Sequence, residues 1–334
     1  MKVKFDELYE HIRRALLVAG LSEEDANKLA KIHAESSRDG VYSHGLNRVP
    51  KFLQMVDEGV VDIHAHPEIV KKLVYAEQYD GNFGMGVKNA LFGSTRAANM
   101  AKKNGLGIVT MRNTNHWQRA ATYTMNICDQ RLIGIAWSNT NSNMPAWGSS
   151  SNSIGNNPLS IAIPYEADDF ILDMAMSQYS FGKLQVTASA DEELDYIGGV
   201  DKYGNATKDP RAITAGGHVY PMGYWKGSGL AIALDILASI LSDGNSTYDV
   251  DMLNRGMCVG VTQIFIAIDP KAFTNDKRIN EIIADTIDYI KEGGDEISYP
   301  GERMIRKRRI QEEDGIEVDD EYWNLVEEYI NGKQ

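Results

Sequence analysis

From about residue 70 onward, short apolar runs rich in β-branched residues alternate with stretches of helical spacing, and few folds accept that order. The runs are LVYAEQYD (73–80), GIVTM (107–111), IGIAW (133–137), LSIAIP (159–164), FILDMA (170–175) and TQIFIAI (262–268). Helical stretches near 84–103, 117–130, 227–242 and 277–291 separate some of them. The alternation predicts an α/β fold with a mixed sheet. Both ends read differently. Phe5, Leu8, Ile12, Ala15 and Leu16 recur at helical spacing, with Gly20 as the stop. Ser22 and Asp25 open a second helix that carries Ala26, Leu29, Ala30 and His33 along one side. A third helix is expected from about Ser43 to Glu58, although Pro50 falls in its first turns. Helix returns after about residue 300, with Trp323, Val326 and Ile330 on one face. The expected arrangement is a helical domain made from residues 1–70 and 271–334, enclosing a sheet domain over 71–270. The polar stretch 189–218 reads as an excursion that frames a site.

Charge and composition narrow the partners. A net charge of −13 repels a phosphate backbone, so nucleic acid is not expected. The basic run RMIRKRR (303–309) is followed directly by EED and reads as a solvated helix face. Two cysteines, Cys128 and Cys258, make neither a disulfide framework nor a zinc ligand set. The start lacks the apolar core of a signal peptide, and no run approaches the roughly 18 apolar residues of a membrane span. A reduced, cytoplasmic protein without a membrane partner is expected.

Several clusters could carry chemistry. No GxGxxG follows a strand, which excludes the usual Rossmann fingerprint. GNFGMG (81–86) lies between a strand and a helix and reads as a helix start. In GYWKGSG (223–229), Lys226 precedes a helix whose free N–H groups favour an anion, and Trp225 offers a stacking face. His64 and His66 have no third ligand, so no metal is expected. His116 lies in RNTNHWQRA (112–120) just after a strand, where α/β folds collect ligands. His44 and Arg48 stand four apart, on one face of the expected third helix. An imidazole that gives a proton beside a guanidinium that binds a carboxylate suits an oxo-acid or hydroxy-acid substrate.

Taken together, these stretches resemble the malate/L-lactate dehydrogenase-like NAD(P) oxidoreductases, a non-Rossmann family. SHGLNRVPKF is similar to its SHGxxR motif, NTNHW to its NxNH segment and LDMAMS to its DMAxS strand. GYWKGSGLA is similar to its G-Y-K-G helix entry, and YPGER to its C-terminal PGE. The motifs keep their order from the first helix to the tail. GVYSHGLNR, NHW, MPAWG, MSQYSFG and PMGYWKGSG resemble the branch that reduces 2,3-diketo-L-gulonate.

The resemblance implies a non-Rossmann nucleotide-binding domain and a homodimer with its site near the subunit boundary. It places the acid/base role on His44 and carboxylate binding on Arg48. Asn115 and His116 would polarise the carbonyl oxygen, and Arg119 would meet sugar hydroxyls. The cofactor, NADH or NADPH, would contact Asp169, Phe170, Ile171, Leu172, Asp173, Met174 and Ala175. Trp225, Lys226, Gly301, Glu302 and Arg303 would complete its site. The implied reaction is reduction of the C2 carbonyl of a sugar acid to 3-dehydro-L-gulonate. Three alternatives stay open on the sequence. One is a malate, lactate or sulfolactate dehydrogenase of the same family. The others are a pyridoxal phosphate enzyme built on Lys226 and a dimer that binds the dinucleotide without catalysis.

Overall fold

The computed structural model describes residues 1–294 and 296–333. Seven strands form one mixed sheet. They are β1 (Glu68–Lys72), β2 (Ala76–Asp80), β3 (Leu106–Asn115), β4 (Ile133–Ser138), β5 (Leu159–Ile163), β6 (Phe170–Met174) and β7 (Val259–Ile268). Their spatial order is β1-β2-β3-β7-β4-β5-β6. Only β2 and β3 run parallel, joined through the helix α4 introduced below. The long central strand β7 lies between β3 and β4 in antiparallel register, with Phe265 opposite both Val109 and Ala136. Strand β1 falls in a span read as helical. All five of its residues are exposed and it pairs only with β2, so burial gave it no alternating pattern.

The principal helices are α1 (Phe5–Val18), α2 (Glu23–Arg38), α3 (Val49–Asp57), α4 (Gly86–Asn104), α5 (Ala120–Cys128), α6 (Trp225–Ser242), α7 (Asp276–Lys291), α8 (Glu302–Asp314) and α9 (Asp320–Gly332). Leu8, Ile12, Ala15 and Leu16 of α1 are fully buried, and Gly20 follows at φ 92°. Ser22 caps α2 by accepting from the Asp25 amide. Val326 and Ile330 of α9 join the core of α1 and α2, and Lys2–Val3 pair with Ile316–Glu317. The two chain ends are therefore neighbours. The excursion at 189–218 carries a small sheet of Gly199–Val200, Ala206–Thr207 and His218–Val219.

The expected third helix begins later than the spacing predicted. Tyr42–His44 and Leu46–Arg48 are two separate 3₁₀ turns, broken at Gly45, and α3 starts only at Val49. Pro50 sits in the first turn of α3, where its missing N–H costs nothing. Gly45 is pressed against Ser37, whose hydroxyl accepts from the Leu46 amide at 3.0 Å. His44 and Arg48 thus share a strapped-down loop, not one helical face.

Helix α6 corrects a second expectation. It has 18 residues and a mean hydropathy of 1.3, enough by length and composition to cross a membrane, and a third of it is buried. One face is seated on the sheet: Trp137 donates its indole N–H to Leu234 O at 3.1 Å. Asp235 accepts from Asn139 at 2.8 Å and from the Thr247 amide at 2.9 Å.

His33 on α2 is fully buried, with Nδ1 bonded to Gly45 O at 3.0 Å. Burial pushes its pKa down to about 4. The native imidazole is therefore neutral where the unfolded one binds a proton, so stability is full above about pH 6.5 and falls as pH drops towards 4. At about 1.4 kcal/mol per pH unit the loss reaches roughly 3 kcal/mol. Urea unfolding of His33→Gln between pH 7 and pH 4.5 should show a shallower acid limb than the parent. An unchanged limb would place the titration on another group.

Candidate active site

The loop that carries His44 and Arg48 faces the end of β3, where Asn115 and His116 leave the sheet. The rings of His44 and His116 stack with centroids 5.9 Å apart and planes 11° from parallel. Arg48, Gly86, Asn115, His116 and Gln118 line one cleft, closed on its apolar side by Phe52, Met55 and Val61. A Cβ on Gly86 would overlap the Asn115 carbonyl oxygen, so only glycine lets α4 begin this close to the strand end.

Each polar group here has a definite hydrogen-bond state. His116 Nδ1 accepts from the Gln118 amide at 3.1 Å, which leaves the proton of the neutral ring on Nε2. His44 Nδ1 lies 3.0 Å from Ser43 Oγ, leaving Nε2 free to exchange a proton. Asn115 spends both amide hydrogens on carbonyl oxygens, those of Phe83 at 2.7 Å and Gly84 at 2.9 Å. Its buried Oδ1 has no partner and can only accept. Asn115 therefore has no donor left to polarise a carbonyl as expected, whereas the His116 ring keeps its Nε2 proton.

Arg48 is half-buried and makes no ion pair or side-chain hydrogen bond among the described residues. The acidic residues nearby in sequence are otherwise engaged: Asp39 binds other arginines, Asp57 binds Lys333, and Glu58 accepts from Gln54. This uncompensated charge sets the electrostatics. Burial, reinforced by Arg48, Arg119 and His33, pushes the His44 pKa down to about 3. Burial and the same guanidinium hold His116 well below its usual value. The site holds two neutral imidazoles and a cation that lacks its anion.

Arg119 departs from expectation. It is 4% exposed, and its guanidinium donates to Asp39 at 2.9 Å and to Asp173 at 3.0 Å. Its donor fork is thus committed inside the protein, and it braces the site without offering itself to a substrate. Burial alone would raise the Asp39 carboxyl, but Arg308, Arg119 and Arg38 outweigh it and hold its pKa below the usual range.

The segments expected at the cofactor are strung along the edge strand β6. Gly301, at φ 100°, is pressed against Ile171, whose amide donates to Pro300 O at 3.0 Å. Beyond the other end of β6, the Met222 amide donates to Met176 O at 2.8 Å and brings up the start of α6. Trp225 there is 66% exposed. Lys226 has no acidic partner among the described residues. Among the described residues Glu302 keeps one buried oxygen, Oε2, without a partner, which suits the ribose hydroxyl of a dinucleotide.

Three refinements follow. The strand presents two faces, and Asp169, Ile171 and Asp173 are already engaged. Asp169 accepts from the Tyr165 amide, Ile171 is buried against Ala121 and Ala162, and Asp173 holds Arg119. Phe170, Leu172, Met174 and Ala175 stay partly open. The expected anion cradle at α6 is reduced, because the Lys226, Gly227 and Ser228 amides bond to Gly223, Met222 and Tyr224. Arg303 donates to Ser298 Oγ at 3.3 Å.

Sequence reasoning missed Gln118. Its signals are three-dimensional: a left-handed backbone at φ 69°, near-complete burial and an amide oxygen without a partner.

Comparisons with known proteins bear on the family and the fold. The family model described as malate/L-lactate dehydrogenase matches residues 3–327. A 2,3-diketo-L-gulonate reductase of Citrobacter koseri is 40% identical, over 98% of this chain and 99% of its own. The sulfolactate dehydrogenase of Methanocaldococcus jannaschii superposes with a TM-score of 0.88 at 29% identity, covering 100% of this chain and 97% of that one. The malate dehydrogenase of Pyrococcus horikoshii gives 0.90 at 26%, covering 100% and 95%. Over nearly its whole length, therefore, the chain belongs to the malate/L-lactate dehydrogenase family of oxidoreductases.

Proposed function

We propose that this oxidoreductase reduces the C2 carbonyl of 2,3-diketo-L-gulonate to 3-dehydro-L-gulonate. The observation that carries the reading is Arg48, a half-buried guanidinium without an anionic partner among the described residues, in one cleft with His116, on whose ring His44 stacks. The relatives named 2,3-diketo-L-gulonate reductase support the choice of substrate. Arg48 binds the C1 carboxylate through two parallel N–H bonds. His116 donates its Nε2–H to the C2 oxygen and polarises it. His44 gives a proton to that oxygen as negative charge develops there. A reduced nicotinamide dinucleotide, NADH or NADPH, supplies the hydride when bound. Phe170, Leu172, Trp225, Lys226, Gly301 and Glu302 are the residues that would hold it.

We further infer a homodimer formed through α6. Ile232, Ile236, Leu237, Ile240 and Leu241 are exposed along this helix, an apolar ridge suited to a second copy. Two free, buried thiols suit a reducing compartment such as the cytoplasm.

Loss of NADH absorbance against a panel of oxo acids tests the substrate. Turnover of 2,3-diketo-L-gulonate should exceed that of oxaloacetate and pyruvate in kcat/KM. Equal or better use of oxaloacetate would favour the malate-type reading. Arg48→Lys keeps the charge but loses the planar fork. It should lower kcat/KM for the oxo acid by about 10- to 100-fold and do so far less for the corresponding amide, with the melting temperature kept. Equal losses on both would mean no carboxylate clamp.

The pH dependence has a definite sign. In the free enzyme His44 is protonated only below about pH 3. Reduction needs the protonated ring, so its kcat/KM should fall close to tenfold per unit as pH rises from about 5 to 8. Oxidation needs the neutral ring and should stay flat over that range. A flat reduction profile would move the proton donor away from His44.

A further inference from the structure

We infer that the carboxamide of Gln118 reads the substituent at C3 of the substrate and so sets the preference for polyhydroxylated oxo acids over simple ones. The inference rests on the reductase reading above and names a residue outside the site residues expected from the sequence.

Gln118 lines the cleft with Arg48, Asn115 and His116 and is only 4% exposed. Its backbone amide is spent on His116 Nδ1. Its side-chain oxygen is buried without a partner among the described residues. An amide oxygen enclosed in this way has lost its hydration and gained no hydrogen bond in exchange. Its backbone is also held in the left-handed region, at φ 69°, where residues other than glycine are uncommon. The strain aims the side chain into the cleft, while the same residue fixes the tautomer of the adjacent catalytic imidazole.

The chemistry of the unpaired group defines its ligand. Arg48 takes the C1 carboxylate and His116 the C2 oxygen, so the next polar group along the substrate is the one at C3. A carboxamide suits either form: Nε2 donates to a C3 carbonyl, and Oε1 accepts from a C3 or C4 hydroxyl. The unpartnered Oδ1 of Asn115 adds a second acceptor for a hydroxyl. Pyruvate carries only a methyl group at C3 and would leave Gln118 unpaired. A site built to hydrogen-bond a substrate rejects the analogue that lacks the group.

Gln118→Leu tests this. Leucine keeps the bulk, the backbone N–H to His116 and the same left-handed strain, and removes only the carboxamide. The readout is the ratio of kcat/KM for 2,3-diketo-L-gulonate to that for 2-oxobutyrate, which carries no oxygen at C3. The ratio should drop by about 10- to 100-fold. A ratio that stays put, with both substrates slowed alike or neither, overturns the inference. Should the leucine variant fold poorly, Gln118→Met carries the same comparison with an unbranched side chain. Calorimetric binding of L-gulonate against L-lactate separates this inference from the reductase reading. A parent protein that reduces no oxo acid counts against the reductase reading. Loss of L-gulonate preference in the variant still supports the role of Gln118, and a preference that survives overturns it.

Discussion

The Asp39 carboxylate is the point on which the geometry of the site depends. It ends α2, is 3% exposed, and accepts from Arg119 at 2.9 Å and from Arg308 at 2.7 and 2.8 Å. Arg119 in turn holds Asp173 on the edge strand. One anion therefore ties together the loop after α2, the segment after His116, the strand expected at the cofactor and the helix that follows Gly301. Buried ion pairs of this kind add little net stability over a well-packed apolar core, but removing one partner strands the others. Their contribution here is register. The His44 loop begins directly after Asp39, so the position of the histidine pair relative to the sheet edge is set by this carboxylate.

The fold and much of the site were legible in the sequence, and the failures have physical causes. The Ser22 cap, the α1 stripe and the long runs of β3 and β7 follow from local periodicity, which a linear sequence records directly. Strand β1 escaped because exposed edge residues need no alternation. Residues 43–48 read as helix because Leu46, Phe52, Leu53 and Val56 recur at helical spacing from there to Glu58. What breaks the helix is the contact of Gly45 with Ser37, on another element. Arg119 was taken for a substrate ligand because its motif lies beside His116. Its partner Asp39 is 80 positions away, and pairing at that range leaves no local trace. Asn115 lines the cleft, but only the fold reveals that both its donors are spent.

The remaining electrostatic feature is the pairing of an unneutralised guanidinium with imidazoles that cannot keep a proton. In the free protein this arrangement suppresses the acid form of His44: burial disfavours the charged ring, and Arg48 adds repulsion. A carboxylate on Arg48 cancels that repulsion within the same cleft. On the proposed reading, the group that binds the substrate carboxylate is also one that opposes the charging of His44, after burial, so binding and acid catalysis would be coupled through one side chain.

This coupling has a consequence for direction. A neutral His44 is already the base that alcohol oxidation requires, whereas carbonyl reduction requires its conjugate acid. On the proposed reading both forms would meet the same substrate carboxylate on Arg48, but only the acid form would gain from the charge that the carboxylate brings. Occupancy of Arg48 would then raise the affinity of His44 for its proton, against the larger effect of burial. A ketone without a carboxylate would leave the repulsion from Arg48 in place.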